Sequence, residues 1–146
     1  EMSASLVGSE MCIRDRLAKE PCQSVHLFEA AIDLLSYATL LKAQGKDYKA
    51  ENLLSLSGVY QPKKENKDSK IPIALSVFLE KNPLIKTIHL HLDNDKTGRL
   101  CANTLKELLR NKYEVFDEPP KKGKDYNDFL CIQLGIYKSK ERSYER

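Results

Sequence analysis

Apolar and polar positions alternate clearly in one stretch of the chain, three other short stretches are strand candidates, and helical spacing of apolar residues or a turn follows each of the four. The clearest stretch reads TIHLHLDNDKTGR over residues 87–99, where Ile88, Leu90 and Leu92 recur every second residue and the run stops at Asp93. A two-residue period is typical of a β-strand. Three further short runs are strand candidates, namely SVHLF, NLLSLS and YEVF at residues 24–28, 52–57 and 113–116.

Segments with helical spacing separate these strands. A broad apolar face follows Glu29 and ends near Gly45, and a second helix is predicted over residues 71–81. A third helix follows the TIHLHLDND run, and a fourth is predicted over residues 125–135. Strands that alternate with helices indicate βαβ units and a parallel sheet. The expected fold is therefore α/β, a small three-layer sandwich with a mainly parallel four-stranded sheet.

The composition is that of an ordinary soluble domain. The chain has 146 residues, of which 41% are hydrophobic and 31% are charged. No apolar run approaches the about 20 residues of a membrane span, and no secretory signal pattern is present, so we expect a cytoplasmic protein without a membrane partner. The four cysteines form no C-x-x-C pair, which argues against a zinc ribbon. A net charge of +3 does not by itself indicate nucleic acid.

The first residues do not share the pattern of the rest. The string LVGSEMCIRDR at residues 6–16 has no periodicity that joins it to the first predicted strand, and it resembles a translated transposon-end adapter from DNA sequencing libraries. We therefore expect residues 1–16 to be non-native and an upstream part of the protein to be missing. The domain is expected to span residues 17–136, with a charged tail at residues 137–146.

Acidic side chains follow two of the predicted strands. Glu29 comes directly after the first strand, and Asp93 and Asp95 come after the third. The carboxyl ends of parallel strands meet at one edge of a sheet, so these three side chains are expected to lie close together. Two aspartates separated by one residue can share a hard, oxygen-seeking cation such as Mg²⁺, and without a cation their charges repel.

The order of these motifs resembles the TOPRIM domain, a catalytic module of bacterial primases, topoisomerases and some nucleases. That family has a glutamate after its first strand and an Asp-x-Asp after its third, matched here by Glu29 and by Asp93 with Asp95. Bacterial primases carry further motif residues, which are matched by Asp33, Gly98, Arg99, Ala102, Gly123, Asp125 and Asp128. The resemblance covers residues 24–134 and is greatest to TOPRIM-like proteins of mobile elements in Gram-positive bacteria, through strings such as GKDYND.

The resemblance implies a Mg²⁺-dependent domain, with Mn²⁺ as an alternative ion, that transfers phosphoryl or nucleotidyl groups on nucleic acid. It would belong to a primase-like replication or mobilisation protein of a mobile element or plasmid, with single-stranded DNA as partner and nucleotides as further ligands. The oligomeric state is not indicated.

The resemblance also implies roles for single residues. Asp93 and Asp95 would hold the metal, and Glu29 would hold a second metal or act as general acid or base. Additional ligands could come from Asp33, Asp125 and Asp128, although each of these could instead cap or solvate a helix end. Contacts to phosphate or nucleic acid are assigned to Arg99, Lys124, Lys63, Lys64, Lys121 and Lys122.

Other functions fit parts of the same pattern. The string DNDKT at residues 93–97 fits the Asp-x-Asp-x-Thr of haloacid-dehalogenase-type phosphatases, but that motif normally follows the first strand of a longer chain. A response-regulator receiver would need the reverse order of acidic residues. A TOPRIM scaffold that only binds DNA or a partner also fits. His89 and His91 could form a transition-metal site with Asp93, but imidazoles in mid-sheet more commonly pack under a helix with local hydrogen bonds.

Overall fold

A mainly parallel sheet forms the centre of the molecule, as the sequence predicts. The computed structural model describes residues 6–7, 10–13, 23–50, 52–56 and 70–136. Within these ranges, six strands pair in the order β1-β2-β4-β3-β5-β6. They are β1 (Leu6–Val7), β2 (Glu10–Ile13), β3 (Ser24–Phe28), β4 (Asn52–Ser55), β5 (Thr87–Leu90) and β6 (Glu114–Asp117). The last four strands are parallel to one another, whereas β1 and β2 are antiparallel to their neighbours.

Helices cover both faces of the sheet. Those of the described residues are α1 (Ala31–Ala43), α2 (Ile73–Lys81), α3 (Lys96–Leu109) and α4 (Tyr126–Gln133), with a short 3-10 helix at Tyr48–Ala50. The core under α2 and α3 includes Leu27, Ile88 and Leu90, and the core under α1 and α4 includes Phe28 and Leu53. The predicted three-layer sandwich is thereby confirmed. In the part of the chain that is described, no helix combines the length and the apolar character that crossing a membrane requires.

Alternation along β3 and β5 decides which side chains meet which helices. In β3, Val25 and Leu27 pack under α2 and α3, whereas His26 contacts Tyr37 of α1. The register places His26 beside His89 of β5. Since neighbouring residues in register point to the same face, the histidines of the two strands share the face that α1 and α4 cover.

The N-terminal segment differs from the prediction. No strand pattern is visible in the sequence of residues 6–16, but the structure places β1 and β2 there, and Met11 and Ile13 pair with Ser55 and Leu53 of β4. An edge strand offers unpaired main-chain groups that an extended segment of almost any sequence can bind. Backbone pairing therefore corrects the expectation of no strand, while the adapter origin of the segment stays a prediction.

A chain shortened to begin at Leu17 is expected to keep the melting temperature of the full chain. The reason is the adapter origin predicted for residues 1–16, since a segment foreign to the domain would have no packing role in it. Thermal unfolding followed by circular dichroism at equal protein concentration provides the measurement. A fall of several degrees in the shortened chain would show that β2 stabilises the sheet and belongs to the domain.

Candidate metal centre at the strand ends

Glu29 and Asp93 lie next to each other at the carboxyl ends of β3 and β5. The backbone N–H of Asp93 donates to Oε2 of Glu29 over 3.0 Å. The side chain of Glu29 is buried, with 9% of the residue exposed. This contact joins the turns that follow the two central strands, so the sheet brings together two acidic residues that are distant in sequence.

Asp95 forms the N-terminal cap of α3. Its Oδ1 accepts a hydrogen bond from the backbone N–H of Gly98 over 2.7 Å, as expected for an aspartate at this position. Its Oδ2 lies 3.6 Å from Nζ of Lys124. Both carboxylate oxygens of Asp95 therefore have partners within the protein.

Gly98 lets the first turn of α3 approach the backbone of Asp93. A Cβ atom at this position would lie 2.0 Å from the carbonyl oxygen of Asp93 and 2.7 Å from its carbonyl carbon. No side chain fits in that space. The glycine thus fixes the position of Asp93 relative to α3.

Asp33 and Asp125 join Asp93 to form a group that we call the carboxylate cluster. Asp33 lies in the first turn of α1 and is 3% exposed, and its Oδ1 accepts from the backbone N–H of Asn127 over 3.2 Å. Asp125 caps α4, where its Oδ1 accepts from the N–H of Asp128 over 2.8 Å. One carboxylate oxygen from each of the three aspartates lies within 4.8 Å of the others. Three converging carboxylates are the donor set that hard divalent cations prefer.

The loop before α4 is fastened to the turn after β5. The carbonyl oxygen of Lys124 accepts from the N–H of Asn94 over 2.6 Å, and Oδ2 of Asp128 accepts from the N–H of Lys124 over 3.1 Å. Gly123 adopts φ +81°, and a Cβ atom there would lie 2.6 Å from Cβ of Asp128. Asp128 therefore holds in place the loop that carries Asp125. It lies beside the carboxylate cluster and supports this loop.

Burial and mutual repulsion raise the pKa values of the acids. Burial raises the pKa of Asp93 from 3.8 to about 7, and the carboxylates of Glu29 and Asp33 contribute to the rise. Burial, followed by the charge of Asp125, raises the pKa of Asp33 from 3.8 to about 6. The pKa of Glu29 is also raised, again chiefly by burial. A bound cation would relieve the repulsion among these carboxylates.

Comparison with known protein families matches residues 26–130 to the Toprim-like family. The chain belongs to this family. The TOPRIM resemblance seen in the motifs is thereby confirmed, and every member of the carboxylate cluster lies within the matched range.

Similarity to individual proteins adds little to the assignment of this Toprim-like chain. No curated protein matches it. One solved structure, described as a split gene transketolase, inactive beta4 tetramer, is 17% identical and superposes with a TM-score of 0.42. The match covers 81% of the Toprim-like chain and 35% of the transketolase chain. The chain thus spans about a third of that protein, and the likeness carries no functional argument.

Replacing Asp93 of the Toprim-like domain with asparagine is expected to raise its metal-free stability relative to wild type progressively between about pH 4 and about pH 7. In that interval folded wild type retains a proton on Asp93 that the unfolded chain has lost, because the folded pKa is about 7 and the ordinary value is 3.8. The wild type therefore loses the stability contributed by Asp93 as the pH rises, and the variant lacks this contribution, whereas Asp33 and Glu29, whose pKa values are also raised, act in both proteins.

Urea unfolding in the presence of a chelator measures this difference across the pH range. His91, whose pKa is lowered by burial and by the neighbouring His26 and His89, contributes the opposite slope in both proteins and so cancels in the difference. A stability difference that is independent of pH would contradict the raised pKa of Asp93.

The predicted basic residues of the Toprim-like domain have different surroundings. Arg99 donates from Nη1 to Oδ2 of Asp117 over 2.8 Å, and this pair is only 30% and 20% exposed. Its guanidinium thus links α3 to β6 beside the Asp93 turn. Lys121 and Lys122 are exposed in the loop that carries Lys124. Lys63 and Lys64 lie outside the described residues, as does the tail at residues 137–146.

The histidines of the central strands pack under the helices, as predicted. His91 is buried under Tyr126 of α4, and its Nδ1 lies 3.1 Å from the hydroxyl of that tyrosine. Its Nε2 lies 2.7 Å from Nδ1 of His26. Sequence reasoning did not single out His26 or Glu118. The signal for His26 was its position in SVHLF, which becomes informative only once β3 is known to lie beside β5.

Proposed function

We propose that this Toprim-like domain performs Mg²⁺-dependent phosphoryl or nucleotidyl transfer on nucleic acid, as the primase-like part of a replication or mobilisation protein of a mobile element. The observation that carries the proposal is the carboxylate cluster, in which oxygens of Asp33, Asp93 and Asp125 lie within 4.8 Å of one another at the carboxyl edge of the sheet. The raised pKa values of Asp93 and Asp33 support it, since they indicate a site that favours added positive charge.

The residues of the cluster are chemically suited to Mg²⁺ or Mn²⁺. Asp93, Asp33 and Asp125 would hold the ion, and Asp95 and Glu29 would border it. A bound Mg²⁺ would supply charge neutralisation at the phosphate oxygens and help to orient an attacking hydroxyl. Asp95 would contribute chiefly by fixing the start of α3, since Gly98 and Lys124 already occupy its oxygens.

Glu29 is the residue to which we assign proton transfer. Its carboxylate is held beside Asp93 by the 3.0 Å hydrogen bond from the backbone of that residue. Burial raises its pKa, which brings its titration closer to neutral pH, where a general acid or base works best. Glu29 would accept a proton from the attacking hydroxyl or return one to the leaving oxygen.

Exposed lysines beside the cluster would bind the nucleic-acid backbone. Lys121 and Lys122 are exposed in the loop of Lys124, whose ammonium lies 3.6 Å from Asp95. Contacts of this kind are independent of sequence and weaken as salt increases. Single-stranded DNA is the proposed substrate, and nucleotides are the second substrate if the domain synthesises primers.

A Glu29→Gln variant is expected to lose turnover by a factor on the order of 10² to 10⁴, which is typical of removing a general acid or base. Its affinity for single-stranded DNA should change little, because that affinity comes from the lysines. The readouts are primer synthesis or strand cleavage with Mg²⁺, and a DNA-binding isotherm at fixed salt.

Glu114→Gln is the matched control, because Glu114 is an exposed glutamate at the amino end of β6, away from the cluster. It should retain full turnover. Equal turnover of Glu29→Gln and wild type would remove Glu29 from the mechanism. A wild type that binds DNA but shows no turnover would instead support a Toprim-like module that only binds.

A further inference from the structure

Two buried histidines face each other beneath α1 and α4. His26 and His91 are 5% and 3% exposed, and Nδ1 of His26 lies 2.7 Å from Nε2 of His91. Their ring planes are inclined by 12° and their centroids are 4.9 Å apart. With the ring centroids this far apart, the two nitrogens can be 2.7 Å from each other only if both lie nearly on the line that joins the centroids. The two nitrogens therefore point at each other.

The surroundings of His91 determine which of its nitrogens carries the proton. Nδ1 of His91 lies 3.2 Å from the carbonyl oxygen of Glu118 and 3.1 Å from the hydroxyl of Tyr126. The tyrosine hydroxyl itself donates to the same carbonyl over 2.9 Å. Because a carbonyl only accepts, Nδ1 of a neutral His91 carries the proton and Nε2 presents a lone pair toward His26. Hydrogen bonds of this kind commonly orient metal-ligating histidines.

Glu118 supplies a carboxylate at the open side of this pair. Its Oε1 lies 3.6 Å from Nε2 of His91 and 2.9 Å from Nδ1 of His89. One ligand atom each from His26, His91 and Glu118 lies within 4.8 Å of the others. The ligand atoms of a tetrahedral zinc ion are about 3.3 Å apart. Nε2 of His91 lies 2.7 Å from His26 and 3.6 Å from Glu118, so an ion would enter only as the two imidazoles turn out of their direct contact until both nitrogens face it.

We propose that His26, His91 and Glu118, here called the histidine site, bind a Zn²⁺-class ion separately from the carboxylate cluster. Two imidazoles and one carboxylate are a donor set for Zn²⁺ and similar ions, whereas Mg²⁺ prefers oxygen ligands alone. The side chain of Glu118 is 45% exposed, so the ion can enter from solvent and a water molecule can take the fourth position. His89 orients the carboxylate of Glu118.

Such an ion would link β3, β5 and the segment after β6 under the helix that begins at Tyr126. Asp125, a member of the carboxylate cluster, directly precedes that helix. A bound ion stabilises the state that binds it. The histidine site would therefore hold in place the part of the sheet and helix on which the carboxylate cluster is built.

The experiment measures Zn²⁺ binding to the full chain by competition with a chromogenic chelator, with Mg²⁺ in excess to occupy the carboxylates. One equivalent of Zn²⁺ is expected to bind to wild type. Glu118→Gln should weaken the affinity at least about tenfold, and Glu114→Gln, at an exposed position of the strand that precedes Glu118, should not change it. Asp93→Asn should bind Zn²⁺ as wild type does.

Two further measurements distinguish the histidine site from the carboxylates and from the cysteine thiols. Zn²⁺ should raise the melting temperature of wild type but not that of Glu118→Gln, whose folding is checked by circular dichroism. Co²⁺ as a probe should give the weak visible bands of nitrogen and oxygen ligands. Wild-type affinity in Glu118→Gln, loss of Zn²⁺ binding in Asp93→Asn, or intense thiolate bands with Co²⁺ would each overturn the proposal.

Discussion

Replacing Asp93 with asparagine is expected to abolish Mg²⁺ and Mn²⁺ binding at the carboxylate cluster and to remove nucleic-acid turnover, while the fold is retained. Burial raises the pKa of Asp93, and four surrounding carboxylates add to the rise, namely those of Glu29, Asp33, Asp125 and Asp95. Removal of Asp93 leaves the ion with two aspartates of the cluster and without the carboxylate at the end of β5. The same change relieves repulsion in the metal-free protein, so loss of function should not come from unfolding.

Calorimetric titration of Mn²⁺ into both proteins measures the effect of this substitution. A Glu80→Gln variant serves as control, since Glu80 is exposed on α2, on the opposite face of the sheet. It removes one negative charge without touching the cluster and should bind Mn²⁺ as wild type does. Equal affinities for wild type and Asp93→Asn would place the cation elsewhere.

A Gly98→Ala variant is expected to lose about 1–3 kcal/mol of folding free energy, the usual cost of forcing extra volume into a packed site. Alanine in a helix normally stabilises relative to glycine by roughly 0.5–1 kcal/mol, so the expected sign is opposite to that of helix propensity. The reason is the 2.0 Å separation between an added Cβ and the carbonyl oxygen of Asp93, a backbone atom that cannot rotate away.

Movement of Asp93 in this variant should also weaken cation binding, which links the stability effect to the site. Urea unfolding gives the free energy, and the Mn²⁺ titration gives the affinity. Asn103→Ala, at an exposed position of the same helix, should change the unfolding free energy by no more than about 0.5 kcal/mol. A Gly98→Ala protein as stable as wild type would show that α3 and the Asp93 turn are not closely packed.

The fold could be predicted because each element carries its own local signal. The alternation in SVHLF and TIHLHL and the helical spacing after Glu29 and Asp95 depend only on neighbouring residues. Buried parallel strands joined by helices then leave few topologies. The short strands β1 and β2 were missed because their pairing with β4 depends on an open sheet edge and not on a pattern within residues 6–13.

The site could be predicted only in part. The positions of Glu29 and Asp93 directly after two parallel strands predicted that they would lie close together, and a hydrogen bond joins them. Side-chain direction was not accessible, so the sequence did not reveal that Asp95 points to the N-terminus of α3. The grouping of Asp33 and Asp125 with Asp93 depends on how α1 packs against α4, a long-range contact made through Asn127.

The histidine site was beyond sequence reasoning for a similar reason. His26 is next to His91 only because β3 lies beside β5, and Glu118 reaches both strands from the end of β6. The sequence pattern of one strand does not show which residues of other strands lie beside it. The H-x-H of His89 and His91 was visible, but its partners His26 and Glu118 come from β3 and from the segment after β6.

Anomalous scattering from crystals of the full chain soaked with Mn²⁺ tests most directly whether the strand ends form a metal centre. We expect a peak bounded by the carboxylates of Asp33, Asp93 and Asp125, and no peak at that place in crystals of Asp93→Asn. The absence of an anomalous peak among these three carboxylates, at a Mn²⁺ concentration that saturates binding in solution, would contradict the assignment of the metal to the carboxylate cluster.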